Sequence, residues 1–365
     1  MDVSFMKRVL FLILFFASVS ASAEMADSIA VPEKRPFFKR LVEVVKEFSR
    51  IDTNYIEPQH YNFTAMLQNT NTYESYTLRN EQGQEIVLSP EPSIRIGPYI
   101  GWRWLFLGYT IDVSHLNSGS QLQDWNLSFY SNQVGVDLFY RKTGEDYKIR
   151  LAKSNDDIPI PVKNVSFGGF RASIKGFNLY YILNHKKFSY PAAFNQSTCQ
   201  KISAGSPLIG IGYTKHKLTL DTEELGKMVN RYTAILGIDP IDFPNSAEVN
   251  FTDIAISGGY AYNWVFAKNW LAAASLSMAV GYKYSTGDTE KDGEQERHFS
   301  FRNFNFDGVG RFGLVWNNTR WYAGSSLILH TYRYSKSQFS TNSIFGNWNI
   351  YVGYNFGKKR EYRNR

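Results

Sequence analysis

Trp348-Asn349-Ile350-Tyr351-Val352-Gly353-Tyr354-Asn355-Phe356 alternates without a break. Trp348, Ile350, Val352, Tyr354 and Phe356 fall on one face of an extended chain, and Asn347, Asn349, Tyr351, Gly353 and Asn355 on the other. Successive side chains of a strand point to opposite faces, so this segment is a strand with one apolar and one polar side. The pattern recurs upstream. Thr252, Ile254, Ile256, Gly258, Tyr260, Tyr262 and Trp264 oppose Asp253, Ser257, Gly259 and Asn263. Leu276, Met278, Val280, Tyr282 and Tyr284 oppose Ser275, Ser277, Gly281 and Lys283. Phe304, Phe306, Phe312, Leu314 and Trp316 oppose Asn303, Asn305, Asp307 and Arg311, and Leu105, Leu107, Tyr109, Ile111 and Val113 oppose Thr110, Asp112 and Ser114. Such runs exceed the usual strand of ~5–6 residues. They are long enough to cross a bilayer when tilted, which takes about 9–11 residues.

Composition agrees. Of 365 residues, 43% are hydrophobic and 20% charged, which excludes a disordered chain. The only long apolar run, Val9–Val19, is too short for a spanning helix of roughly 20 residues, so a helical-bundle membrane protein is excluded. A single cysteine, Cys199, excludes an internal disulfide framework and any multi-cysteine metal site. The net charge of +7 resides in two short pieces, Glu33–Arg50 and Gly357–Arg365, so it does not mark a nucleic-acid-binding face.

Lys7 and Arg8, the apolar run and Ala21-Ser22-Ala23 follow the order of a secretory signal peptide, read as 1–23; an N-terminal anchor helix is the alternative. Residues 24–52 read as a linker and one amphipathic helix carrying Phe37, Leu41, Val44, Phe48 and Ile51. Residues 53–356 form the strand-rich body and 357–365 a basic tail.

Short turns, including Trp102-Arg103, Thr143–Asp146, Thr214–His216 and Val265–Asn269, alternate with longer polar connections such as 73–92, 117–124 and 222–249. Alternation of this kind predicts an all-β, up-and-down transmembrane antiparallel β-barrel. About fourteen strands are expected, with twelve as the alternative; 125–141, 191–202, 205–214 and 217–221 are each taken as one strand. A short helix is expected over Glu223–Tyr232. Trp102, Trp104, Trp264, Trp270, Trp316 and Trp321 flank short turns, while Trp125 and Trp348 open strands after long loops. With Phe356 these sites suit an interfacial aromatic girdle.

Arg95, Asp112, Asp137, Arg141, Asp253, Lys283, Asp307 and Arg311 lie opposite the apolar faces and are expected to point into the lumen. An unpaired charge facing lipid would cost roughly 2–4 kcal/mol. They fit either a packed, salt-bridged interior or a narrow water-filled pore. None of the six histidines forms H-x-x-x-H or H-E-x-x-H, so no metal or cofactor is expected. Ser114, His115 and Ser118 come nearest to an esterase set, but no base-and-orienter pair accompanies them, and a non-enzymatic role is expected.

The closing strand resembles the C-terminal strand by which bacterial outer-membrane barrels are recognised for assembly, except that nine residues follow Phe356. Phe177-Asn178-Leu179-Tyr180-Tyr181, Phe188-Ser189-Tyr190-Pro191-Ala192-Ala193 and Tyr260–Trp270 resemble an uncharacterised family of outer-membrane barrels from Bacteroidetes. The resemblance implies a bacterial outer-membrane location with both termini periplasmic. Its implied partners are membrane lipid and the barrel-assembly machinery. It carries no activity and no functional residue. The expected function is a small pore, an uptake element or a structural barrel. The alternatives are a lipid hydrolase acting through His115 at the rim and a soluble secreted β-sandwich binding protein.

Overall fold

A computed structural model describes residues 51–80, 83–102, 105–114, 123–143, 146–153, 159–160, 164–237, 247–285, 304–335 and 339–363. The signal peptide 1–23, the helix over 37–51, Trp104, His115 and Ser118 lie outside the described residues.

In chain order the strands are β1 (Ile56–Pro58), β2 (Tyr61–Asn80), β3 (Glu85–Pro90), β4 (Ser93–Trp102), β5 (Leu105–Gly108), β6 (Ile111–Asp112), β7 (Gln123–Tyr130), β8 (Val134–Lys142), β9 (Tyr147–Lys153) and β10 (Pro159–Ile160). Then come β11 (Val165–Phe167), β12 (Phe170–Ile182), β13 (Thr198–Gln200), β14 (Ala204–Leu220), β15 (Ala247–Ala267), β16 (Trp270–Ser285), β17 (Phe304–Asn317), β18 (Trp321–Ser335) and β19 (Phe339–Lys358). Among the described residues two α-helices interrupt them, α1 (Tyr190–Phe194) and α2 (Thr222–Leu236). Apart from the β1–β13 ribbon, the strands make one antiparallel sheet whose order runs round as a closed barrel. No described helix is long and apolar enough to cross a membrane.

The faces sort as the alternation requires. On β15, Ile254, Ile256, Tyr260, Tyr262 and Trp264 are exposed on the outside, while Asp253, Ala255, Ala261 and Asn263 are buried within. Such outward apolar faces, on strands paired edge to edge in one rolled sheet, replace the β-sandwich alternative: among the described residues no second layer packs against them.

Seventeen strand segments share the wall among the described residues. Collinear ones occupy one position each, so the fourteen-strand expectation changes in four places. The run 125–141 divides into β7 and β8, because Ser131 turns the chain by accepting from the backbone N–H groups of Gln133 and Val134. Thr214–His216 is no turn. It lies inside β14, where Lys215 and Lys217 point out and Thr214 and His216 point in, the alternation continuing through polar residues. The connection 73–92 is itself a hairpin, since β2 runs to Asn80 and β3 returns beside it. Finally, 191–202 leaves the wall altogether: Ser189 caps α1, its Oγ accepting from Ala192 N–H at 3.2 Å, and Pro191 suits the first turn. The helix expected over Glu223–Tyr232 is α2, capped by Asp221 at its start and by Gly237 at φ 67° at its end.

The wall changes width along its height. Near the chain termini β4 pairs with β5 and β6, and β7 with β8. Towards the far end β3 pairs directly with β9. Of the connection expected at 117–124, residues 117–122 lie outside the described residues, and 123–124 belong to β7.

β19 continues to Lys358, which pairs with Tyr61, and Tyr362 stacks on His60 with ring centroids 4.1 Å apart.

Candidate functional site: the barrel interior and its outer apolar band

Three layers of side chains lie inside the barrel. Towards the far end lies an apolar core containing Tyr76, Leu88, Tyr147, Phe170, Phe251 and Tyr332, into which α2 inserts Leu225 and Val229. At the end near the termini, Tyr190 of α1 and Phe188 pack with Tyr130, Tyr180, Ile182 and Leu208. Three wall strands fasten this inner segment. Asn263 of β15 donates to Ser189 O at 2.7 Å, Tyr190 OH donates to Ser275 Oγ of β16 at 2.6 Å, and Gln196 donates to Tyr351 OH of β19 at 2.7 Å.

Between the two cores sit the charges, six of which fall into three close pairs. Arg311 meets Asp137 at 2.5 Å, with side chains 3% and 10% exposed. Asp137 also accepts from Ser128 Oγ and Tyr130 OH. Lys283 meets Asp307 at 2.7 Å, with 0% and 5% exposed, and donates to Arg333 O. Asp253 stands directly opposite Lys283 in the β15–β16 register. Arg141 lies 3.6 Å from Glu74, whose other oxygen accepts from Tyr147 OH. In a low dielectric an unpartnered charge is costly, so this pairing is what a water-poor interior demands.

Of the eight expected lumen residues, Asp137, Arg141, Asp253, Lys283, Asp307 and Arg311 are buried inside. Arg95 and Asp112 are half-buried and face each other across β4 and β6, apart from the three clusters. Glu74, Tyr130, Tyr190, Gln196 and Asn263 are buried inside as well, beyond the charged set expected there. Glu74 was hidden because its segment reads as loop, yet it keeps step with Thr72 and Tyr76, both buried, and that alternation is the signal for it.

Of the expected girdle, Trp102, Trp264, Trp270, Trp321 and Phe356 are exposed on the outer face near the termini. Trp316 pairs with Trp270 in register. Phe266 links Trp264 to Trp270, with centroids 5.3 and 6.1 Å apart, and Phe63, Phe356, Tyr354 and Trp321 form a second chain of ring contacts. Trp348 does not open its strand; it lies mid-strand, donating to Ser325 Oγ at 2.7 Å. A second aromatic row appears higher up: Phe177 stacks on Tyr213, and Tyr282 meets Phe304. From Ile254 to Trp264 the outer face of β15 spans ten residue steps, about 34 Å along the strand and roughly 26 Å in height at a tilt of ~40°.

A cleft of about 460 Å³ opens at the end near the termini, bordered by Cys199, Lys201, Lys268, Asn269 and Thr319. Burial pushes the Cys199 thiol up to about 12, which makes it a poor nucleophile. No cluster of metal-ligating side chains occurs among the described residues.

The profile of a protein family described as a domain of unknown function, DUF4421, matches residues 50–356. The chain belongs to that family. No curated protein matches it. Among solved structures it is similar to the outer membrane protease OmpT of Escherichia coli, at 7% identity and a TM-score of 0.34 over 81% of this chain and 97% of that one. It is similar to the translocator domain of the autotransporter NalP of Neisseria meningitidis, at 9% identity and 0.32 over 87% and 94%. It is also similar to the transport unit of the autotransporter AIDA-I of Escherichia coli, at 10% identity and 0.31 over 93% and 98%.

Proposed function

We propose that this DUF4421 protein is an integral outer-membrane barrel with a closed lumen, acting as a membrane-embedded scaffold and not as a pore. One observation carries the reading: the interior ion pairs are almost wholly shielded from solvent and lie between two packed cores. A conducting path needs a continuous column of water, and water would leave such charges individually solvated instead of locked in pairs.

The outer face supports residence in a bilayer. An apolar band of roughly 26 Å between two aromatic rows matches the ~25 Å band of outer-membrane barrels. Both chain ends then lie on the periplasmic side, and α2 caps the outer end. Membrane lipid is the first partner on this reading, with export through the segment 1–23 and insertion by the barrel-assembly machinery preceding it. No chemistry is assigned to the interior.

Purified protein inserted into planar bilayers should leave them electrically silent. Stable conductance steps from the wild type would overturn the closed-lumen reading. Recovery in the soluble periplasmic fraction would overturn the membrane reading separately.

A further inference from the structure

One sector of the outer band is polar. On β2, Phe63, Leu67 and Tyr73 are exposed on the outside while Thr64, Thr72 and Glu74 are buried within, so the alternation places Asn69 and Asn71 outward. Counted up from Phe63 in the near-terminal aromatic row, the two amides stand about 20 and 27 Å along the strand, which at a tilt of ~40° is roughly 16 and 21 Å up a band of roughly 26 Å. Asn71 donates to Asn69 Oδ1 at 2.6 Å and reaches Trp348 O only at 3.5 Å, and Asn69 reaches Arg95 O only at 3.5 Å. No described donor meets Asn71 Oδ1. Trp348 stands directly opposite Asn71 on β19, and its indole N–H donates to Ser325 Oγ of β18 at 2.7 Å, so the polar seam crosses three strands. Other sectors differ. No outward position within 207–213 of β14, 254–264 of β15 or 270–282 of β16 is an amide or a serine.

We propose that this seam is the intramembrane face on which a second copy of this chain docks, the two barrels being related by a twofold axis along the membrane normal. The inference rests on the barrel's residence in a bilayer. Acyl chains offer neither donor nor acceptor, so against lipid Asn71 Oδ1 stays unpaired, at a cost that hydrocarbon makes large. A neighbouring barrel supplies what lipid lacks. Polar complementarity selects a copy of the same chain, because a carboxamide carries both donor and acceptor and therefore complements itself. Symmetry agrees. An isologous contact brings a patch onto itself, and an axis along the normal keeps each residue at its own depth. The amides of one protomer thus meet those of its partner at the same level. Leu67, Ile94, Ile96, Ile350 and Val352 surround the seam and are exposed, so they give the contact its apolar packing.

The test uses the full chain reconstituted in phosphatidylcholine vesicles, with donor and acceptor dyes on C199S/R360C reporting energy transfer between barrels. Transfer should fall on dilution with lipid along a two-subunit curve. N69L/N71L in that background should move the midpoint to about tenfold more protein per lipid while keeping the folded, heat-modifiable gel band. Oxidation of N71C/C199S should give a disulfide-linked dimer, and I256C/C199S, outward on a sector without amides, should give none. An unchanged midpoint in N69L/N71L, or equal cross-linking at both positions, overturns the inference. An inserted wild type that stays monomeric at every density overturns it too, and a spin label at N71C colliding freely with lipid-borne oxygen then makes acyl chains the occupant. These outcomes leave the barrel reading standing. Failure of the chain to float with the vesicles overturns the barrel reading itself. Should the double variant misfold, N71L alone replaces it, and a midpoint moved by less than about twofold overturns the inference.

Discussion

Arg311 on β17 and Asp137 on β8 form a 2.5 Å ion pair although five strand positions separate them in the wall, from β8 through β12, β14, β15 and β16 to β17. Neighbouring strands lie about 4.8 Å apart, so a flat sheet would hold these residues roughly 24 Å from one another. The contact exists because the sheet curls until opposite walls touch through their side chains.

Replacing Arg311 with Met leaves Asp137 buried without its cation. The expected cost is about 3–5 kcal/mol, read as a lower urea midpoint for loss of the heat-modifiable band. D137N/R311M should recover most of the loss, because neither partner then carries an unmatched charge. An unchanged midpoint in R311M would mean that water already solvates the pair.

Spin labels at Ile256, Val280 and Leu314, all outward and exposed, should collide with oxygen dissolved in the acyl chains and ignore a water-soluble nickel chelate. Labels at Ser257 and Ser277, on the inward face, should be shielded from both reagents if the lumen is packed. Nickel access at those two inner positions would signal an aqueous channel.

Glycine on the inward face makes room for rings on the neighbouring strand. A Cβ at Gly135 would overlap the Tyr180 ring, and one at Gly353 the Tyr322 ring. Gly135→Ala should therefore destabilise the barrel by about 1–3 kcal/mol, and a smaller residue at 180 should relieve part of that cost. Gly226 in α2 is the contrast, since nothing lies within 4 Å of its added methyl. Gly226→Ala should stabilise by up to about 1 kcal/mol through helix propensity alone. The same denaturation assay reads both signs.

Cys199 lines the cleft near the termini, yet its sulfur is desolvated and its pKa rises to about 12. Because the thiolate is the reactive species, a raised pKa removes it at ordinary pH. Iodoacetamide at pH 8 should alkylate the folded protein about a hundredfold or more slowly than the urea-unfolded chain. Equal rates would show the thiol to be solvated.

Alternation in the chain was enough to determine the sidedness of the long strands and the inward aim of Asp137, Arg141, Asp253, Lys283, Asp307 and Arg311, because a pleated backbone sends neighbours to opposite faces whatever surrounds it. It also determined the near-terminal aromatic row, where tryptophans crowd the short turns. Only the tertiary structure decided which charges meet, because Arg311 and Asp137 are far apart in the chain and close only once the sheet rolls. It decided as well that 191–202 folds inward as a plug. Tyr190, Pro191, Ala192 and Ala193 are as apolar as any strand, and what holds them inside is hydrogen bonding to Asn263, Ser275 and Tyr351 from distant strands. A periodic pattern reports which face a residue takes; the partner waiting on that face depends on closure of the whole wall.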